Sequence, residues 1–128
     1  MKWGKEKSFT QEDLSISVEA MPAIHGVKKI TAKIAGGVNG YWLNIKKKGE
    51  QYSIYVTSDT VTDKKVLKAI KNKKADLMIP NMGYAFGNTR FGAVTLGANM
   101  AEQLTNNVSA SMVIPVHFNA FTHYIEAN

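Results

Sequence analysis

The sequence predicts a single α/β domain built on a mixed β-sheet with helices on one face. Strand-like and helix-like segments follow one another in the order β-β-β-α-β-α-β, and strands that alternate with helices are typical of such layered folds. The 128 residues suffice for one ordinary hydrophobic core. With 45% hydrophobic and 20% charged residues, the composition is that of a folded globular protein. We therefore expect one domain over residues 1–128.

The first predicted strand covers residues 14 to 20, where apolar and polar side chains alternate. This period of two indicates a strand with one buried face. Pro22 and Gly26 follow at once, and proline cannot donate a hydrogen bond to a sheet while glycine tolerates unusual backbone angles. We expect the strand to end there and to present His25 in a loop at its tip.

A hairpin is predicted next. Residues 40 to 45 and 51 to 56 are rich in aromatic and β-branched side chains, which favour strands, and the polar segment from 46 to 49 reverses the chain between them. The second of these strands runs into Asp59. This carboxylate is therefore expected at a strand tip, like His25.

The remaining elements alternate between helix and strand. Thr62 or Asp63 is predicted to cap a helix with lysines on its outer side, and residues 76 to 80 form a short apolar run typical of a buried strand. After a loop rich in glycine and aromatic residues, Thr95 is predicted to cap a second helix that closes near Asn106. Residues 111 to 117 are predicted as the last strand, which ends on a histidine.

The formal net charge is +6, and lysine supplies almost all of it, since Arg90 is the only arginine. The lysines cluster at positions 46 to 48 and between 64 and 74. Two interpretations are open: a face that binds phosphate or nucleic acid, or a solvated turn and helix surface. Because arginines and interleaved aromatic residues are missing, we favour the second and do not expect nucleic acid as a partner.

The chain contains no cysteine. Any metal must therefore be held by histidine and carboxylate, and disulfides are excluded. This composition suits a reducing compartment, so we expect a cytoplasmic protein. No stretch approaches the roughly 20 apolar residues that a membrane-spanning helix needs, and we expect neither a signal peptide nor a membrane span.

Three segments together resemble one known family. Pro-Ala-Ile-His-Gly at 22 to 26 is similar to a "P-A-x-H" loop, Tyr-Val-Thr-Ser-Asp-Thr at 55 to 60 is similar to "Y-x-x-G-D-T", and residues 113 to 123 are similar to a closing "V-P-V-H-y-x-x-W-x-H-F". The family is the metallo-β-lactamase superfamily. The resemblance is to its metal-dependent hydrolase branch, related to ascorbate-phosphate lactonases and to the phospholipase D that hydrolyses N-acylphosphatidylethanolamine.

The resemblance implies a two-metal site. By position, His25 would bind one metal, Asp59 would bridge both metals and activate water, and His117 would bind the second metal. His123 matches a histidine of the closing motif that would lie behind the ligands. Imidazole and carboxylate suit zinc, with manganese or iron as alternatives.

The chain departs from the family pattern in two ways. Ser58 stands where the "G-D-T" motif has glycine, and the "H-x-H-x-D-H" motif of the N-terminal half, which donates four ligands, is missing. The resemblance therefore implies the C-terminal half of an αββα sandwich. A half would leave one apolar sheet face bare, so we expect it to associate with itself, with a separate N-terminal half, or with the rest of a longer chain.

The function implied by the resemblance is metal-dependent hydrolysis of a small-molecule ester, lactone, amide or phosphodiester, once the missing ligands are supplied. By its family position the loop from 81 to 93 would contact the substrate, with Asn81 and Arg90 as the polar groups expected to do so; the alternative is that this loop is only a flexible connector. The alternative is a non-catalytic remnant that uses the lysine-rich face to bind an acidic partner. Neither alternative identifies the substrate, since one fold supports many reactions.

Overall fold

Six strands form one mixed sheet in the computed structural model, which describes residues 1–28, 30, 33, 36–84 and 92–118. Neighbouring strands are also neighbours in sequence; β1 to β4 pair antiparallel, and β4, β5 and β6 run parallel. The predicted mixed sheet is confirmed. The elements of the described part are, in order, β1 (Glu6–Gln11), β2 (Leu14–Ala23), β3 (Val38–Lys47), β4 (Glu50–Ser58), α1 (Lys64–Ile70), β5 (Leu77–Pro80), α2 (Ala98–Asn107) and β6 (Met112–Val113).

Strand β2 continues three residues beyond its expected end, through Pro22. Ala20 exchanges backbone hydrogen bonds with Lys5 and Gly4 on the side of β1. Pro22, two residues further on, directs its backbone to that same side. No residue of β1 lies there, because β1 begins at Glu6 and pairs only as far as Glu19. The proline therefore removes no hydrogen bond from the sheet, and the prediction that it would end the strand was wrong.

Two tight hairpins build the antiparallel part of the sheet. The predicted β3–β4 hairpin is confirmed, and its loop residues Lys48 and Gly49 have φ angles of 50° and 86°. Positive φ at both positions is the type I′ geometry that matches the twist of paired strands. Strand β1 was not predicted; it joins β2 through a similar two-residue turn in which Glu12 has φ 52°. All six of its residues are exposed, so it carries no hydrophobic period.

The two helices begin in different ways. Asp63 caps α1 as predicted, because its side chain accepts a 2.7 Å hydrogen bond from the Lys65 N–H. Thr95 was predicted to cap α2, and this is wrong: the helix begins at Ala98 with Gly97 as its cap residue, without a side-chain cap. Thr95 is instead buried. Glycine is tolerated at this position because it adopts extended backbone angles without a steric penalty.

The last strand is shorter than predicted, with a regular part limited to Met112–Val113. The chain nevertheless follows β5 further, because the N–H groups of Ile114 and Val116 donate to carbonyls of β5 at 3.0 Å each. Pro115 lies between them, at a position where a backbone N–H would point to the outer edge of the sheet, away from β5. Because proline has no N–H, it costs no hydrogen bond to β5 there. The chain therefore reaches the end of β5 as an edge segment.

The core lies between the sheet and the two helices. Trp42, Tyr55 and Met78 are neighbours across β3, β4 and β5, and all three are buried. Helix α1 packs Ile70 into this cluster and α2 packs Leu104. The rings of Trp42 and Tyr55 stack with centroids 5.7 Å apart. The predicted arrangement of helices on one face of the sheet is confirmed.

The opposite sheet face, called here the open face, carries aliphatic side chains at alternate positions. By the strand register these are Leu14, Ile16, Val18, Leu43, Ile45, Ile54, Val56, Leu77, Ile79, Met112 and Ile114. None of them belongs to the buried core, and Met112 and Ile114 are 59% and 47% exposed. The other nine are half-buried.

Asp76 links the start of β5 to β4. Its Oδ2 accepts hydrogen bonds from the Ser53 N–H at 2.7 Å and the Ser53 hydroxyl at 2.9 Å. These bonds favour the charged carboxylate and lower the pKa of Asp76. Since the folded pKa lies below the unfolded value of about 3.9, the stabilisation is complete above that pH and is lost as the pH falls through the folded pKa.

Asp76→Asn should therefore lower the urea midpoint at pH 7 by about 0.2–0.5 M, a small effect because solvent screens this exposed carboxylate. The difference from the unmodified chain should shrink as the pH is lowered from 5 to 2, followed by circular dichroism. Asp13→Asn, in the β1–β2 turn, removes the same charge elsewhere. Equal losses in both variants, or a loss independent of pH, would contradict the role of the Ser53 hydrogen bonds.

Candidate functional site

Asp59 follows β4 at a distorted strand end. The pairing of β4 with β5 shifts register between Val56 and Ser58, and Ser58 has φ 57°, a left-handed conformation that is costly for residues other than glycine. The turn is held by Thr57, which is fully buried. The Thr57 hydroxyl accepts a 3.1 Å bond from the Asn81 N–H and donates a 3.0 Å bond to the Ser58 carbonyl.

Three parallel strand ends meet at this edge of the sheet. Asp59 comes after β4, Asn81 after β5, and His117 after the segment that continues β6, where Val116 pairs with Asn81 in an isolated bridge. Because parallel strands end at the same edge, residues far apart in sequence are brought together. The Asn81 Nδ2 donates a 3.0 Å hydrogen bond to the Asp59 Oδ1.

His117 approaches the same carboxylate oxygen. Its Nδ1 lies 3.6 Å from the Asp59 Oδ1, and the two side chains are 34% and 31% exposed. This distance is too long for a hydrogen bond. It is close to the roughly 3.4 Å that separates two ligands of one tetrahedral zinc ion with bonds of about 2.0–2.2 Å. The chemistry and spacing of this donor pair therefore fit a divalent metal.

The backbone of His117 is also unusual, with φ 66°. Histidine is among the residues that tolerate the left-handed region, yet such conformations persist only where the surroundings enforce them. Ser58 and His117 thus carry left-handed backbones next to and within the candidate donor pair. Five other non-glycine residues of the described chain also have positive φ, so this geometry alone does not mark a site.

His25 is placed differently. Its loop is tied to the chain after Asp59, because the Ile24 N–H donates to the Thr60 hydroxyl and the Val61 N–H donates to the Ile24 carbonyl, both at 2.9 Å. His25, however, lines a cavity of about 390 Å³. Across residues 1–84 and 92–118, apart from the few positions omitted near residue 30, no three histidine, aspartate or glutamate side chains form a metal-holding group. Asp59 and His117 meet, while His25 stands apart from them.

Two predicted site residues, Arg90 and His123, lie outside the described residues, as does the segment from 85 to 91. Asn81 is described, and its side chain contacts Asp59, whereas its expected contact with substrate stays a prediction. Thr57 and Thr60 were not predicted as residues of the site. Both are fully buried threonines whose hydroxyls fix the turns on either side of Asp59. Hydroxyl residues beside an aspartate are a signal of such local hydrogen bonding.

The left-handed backbone of Ser58 gives a direct prediction for stability. Ser58→Gly should raise the free energy of unfolding by up to about 1 kcal/mol, because relief of a left-handed strain of about 1–2 kcal/mol exceeds the backbone entropy that glycine loses. The measurement is urea unfolding. Ser17→Gly, in β2, should destabilise the chain by roughly 0.5–1 kcal/mol, because that backbone is extended. A loss of stability in Ser58→Gly would refute the strain.

No family model matches the chain, and no curated protein matches it. Several solved structures do match the chain. An isothiocyanate hydrolase from Delia radicum gut bacteria aligns with a TM-score of 0.71 and 17% identity over 91% of this chain and 47% of its own. A possible metal-dependent hydrolase from Veillonella parvula DSM 2008 aligns with a TM-score of 0.69 and 21% identity, over 95% of this chain and 46% of its own.

A third solved structure, the metallo-β-lactamase fold protein YhfI from Bacillus subtilis, aligns with a TM-score of 0.52 and 14% identity over 90% of this chain and 41% of its own. At these identities the likeness establishes the fold. The chain spans less than half the length of each of the three structures and folds like that part of them. In the described part of the chain, no helix is long and apolar enough to cross a membrane.

Proposed function

We propose that the chain is one half of a metal-dependent hydrolase of the metallo-β-lactamase superfamily, corresponding to the C-terminal half. The observation that carries this proposal is the convergence of Asp59 and His117, 3.6 Å apart, at the common end of three parallel strands. The names of two structural neighbours, an isothiocyanate hydrolase and a possible metal-dependent hydrolase, support it.

Each residue of the site has a proposed task. Asp59 and His117 hold a divalent ion, with zinc favoured by the donor types and manganese or iron as alternatives. Such an ion, when bound, lowers the pKa of a coordinated water and polarises the bond that is attacked. Asn81 orients the carboxylate through its amide, as partners behind metal ligands generally do. His25 is the third proposed ligand, although in this structure it lines the neighbouring cavity and forms no three-ligand group with Asp59 and His117.

The site needs ligands from another polypeptide segment. Three protein ligands shared by two metals give too few donors for a stable binuclear centre. The open face, whose aliphatic side chains are half-buried or exposed, is proposed as the surface on which the complementary half packs. That half is an N-terminal segment of the same longer chain or a separate polypeptide, and self-association is the remaining possibility.

The proposed substrate is a small molecule with an ester, lactone, amide or phosphodiester bond, and the proposed location is the cytoplasm. Arg90 is proposed to contact the substrate and His123 to support the ligands.

Metal content and hydrolysis test the proposal together. The chain is purified alone and with an added N-terminal fragment that carries "H-x-H-x-D-H", and bound zinc, manganese and iron are measured by mass spectrometry. We expect weak metal binding by the chain alone, and stoichiometric binding with hydrolysis of a model ester or phosphodiester in the presence of the fragment. No metal uptake in either preparation would refute the proposal.

The alternative function is binding of an acidic partner by the lysine-rich face, and fewer observations support it. One of the lysines, Lys73, is engaged at the core: its Nζ lies 2.7 Å from a Glu19 carboxylate oxygen and 4.9 Å from the Trp42 ring centroid. A steep loss of polyanion binding with salt, abolished when Lys64, Lys65 and Lys68 are neutralised, would favour this alternative. Weak binding that survives the substitutions would count against it.

A further inference from the structure

Two cavities adjoin at Trp3, away from the Asp59 and His117 pair. The first, of about 390 Å³, is lined by Trp3, Ala23, Ile24, His25, Lys33, Gly36 and Gly37. The second, of about 530 Å³, is lined by Met1, Lys2, Trp3, Gly37, Val38 and Asn39. Both recesses are open to solvent and have room for a small aromatic molecule. Trp3 and Gly37 contribute to both.

The indole of Trp3 is held in place but left accessible. Its Nε1–H donates a 3.2 Å hydrogen bond to the Val38 carbonyl, which restrains the ring. The residue is nevertheless 42% exposed, whereas Trp42, the other tryptophan, is 3% exposed. A large aromatic ring that is restrained and still open to solvent offers a surface on which a planar group can stack.

The surroundings of the indole are positively charged. Lys33 lines the first cavity and Lys2 the second, while the Lys65 Nζ lies 6.0 Å from the Trp3 ring centroid. The residues that line the two cavities in the described ranges include no aspartate or glutamate. Cations without acidic neighbours in a partly apolar recess favour an anionic ligand.

We propose that the cavities around Trp3 bind a small anion that carries an aromatic ring. The ring stacks on the indole, and a phosphate or carboxylate group meets the ammonium groups of Lys33 and Lys2. Because His25, a proposed metal ligand, also lines the first cavity, this aromatic anion would be one end of the substrate; this last step rests on the proposed function, whereas the binding itself does not.

Phenyl phosphate is the probe, compared with phenol and with inorganic phosphate. Tryptophan fluorescence is titrated with EDTA present, so that no metal contributes, and the buried Trp42 gives a constant background. We expect phenyl phosphate to change the emission of Trp3 and to bind at least about tenfold more tightly than phenol or phosphate, because ring and anion contacts add. If phenol or inorganic phosphate binds as tightly as phenyl phosphate, the proposal is overturned.

Three variants locate the site. Lys33→Gln should weaken phenyl phosphate binding by roughly threefold to tenfold, whereas Lys46→Gln, which removes the same charge from the β3–β4 hairpin, should leave it unchanged. Trp3→Leu, followed by calorimetry, should weaken binding by at least about tenfold. If Lys33→Gln and Trp3→Leu bind as well as the unmodified chain, the assignment is wrong.

The outcomes separate this inference from the proposed function. If the chain binds phenyl phosphate through Trp3 and Lys33 but takes up no metal with the N-terminal fragment, the hydrolase proposal fails and the anion site stands. Metal uptake without binding of phenyl phosphate overturns the anion site alone. Hydrolysis of phenyl phosphate is not needed for either result.

Discussion

Asp59→Ala should lower the affinity for zinc by at least about 100-fold when the chain is combined with the N-terminal fragment, if Asp59 is the ligand proposed above. The carboxylate is the group on which this site converges, since it is contacted by Asn81 at 3.0 Å and approached by His117 at 3.6 Å. Its loss would remove the proposed charged ligand, whereas loss of a partner behind a ligand costs only about 10–100-fold in affinity. Zinc competition with a chromophoric chelator at constant pH measures the change.

Controls separate loss of the ligand from loss of the fold. Asp59→Asn keeps the shape of the side chain and should also bind zinc poorly, because a neutral amide is a weak zinc ligand. Asn81→Ala should weaken binding by about tenfold through misorientation of the carboxylate. Asp13→Ala, in the β1–β2 turn, should have no effect. Zinc affinity in Asp59→Asn equal to that of the unmodified chain would contradict the assignment of this carboxylate as a ligand.

The elements that the sequence predicts well are those determined by local chemistry. The β3–β4 hairpin follows from a polar reversal that ends in glycine, and the start of α1 follows from the cap residue Asp63. Strand β1 was missed because all its side chains are exposed and only pairing with β2 defines it. The extension of β2 through Pro22 was missed for a related reason: whether a proline ends a strand depends on which edge its nitrogen faces, and sequence does not show this.

The candidate site also has features that the sequence predicts and features that it does not. Asp59 and His117 were predicted at strand ends, and parallel pairing of β4, β5 and β6 brings those ends to one edge. Their proximity thus follows from topology. The bond from Asn81 to Asp59 depends on the register shift at Ser58, and the placement of His25 beside Trp3 depends on loop contacts between distant segments. Neither leaves a periodic signal in the sequence.

The open face leads to a second prediction with a large expected effect. Leu43 lies on β3, between Val18 of β2 and Ile54 of β4 on that face, and it is only half-buried in the described chain. If the complementary half packs there, burial of such a side chain contributes about 1.5–3 kcal/mol. Leu43→Glu would instead place a charge in an apolar interface, which costs more still. We expect association to weaken by at least about 100-fold, whether with the N-terminal fragment or with a second copy.

Light scattering after size exclusion, with and without the fragment, measures this change. Val27→Glu is a matched control, since Val27 is 50% exposed in a loop outside the sheet, and it should associate normally. Leu43→Glu should unfold in urea much like the unmodified monomer, because its new carboxylate still faces water when the open face is uncovered. Association that survives Leu43→Glu would mean that another surface joins the halves, and the exposed aliphatic side chains of the open face would then need a different explanation.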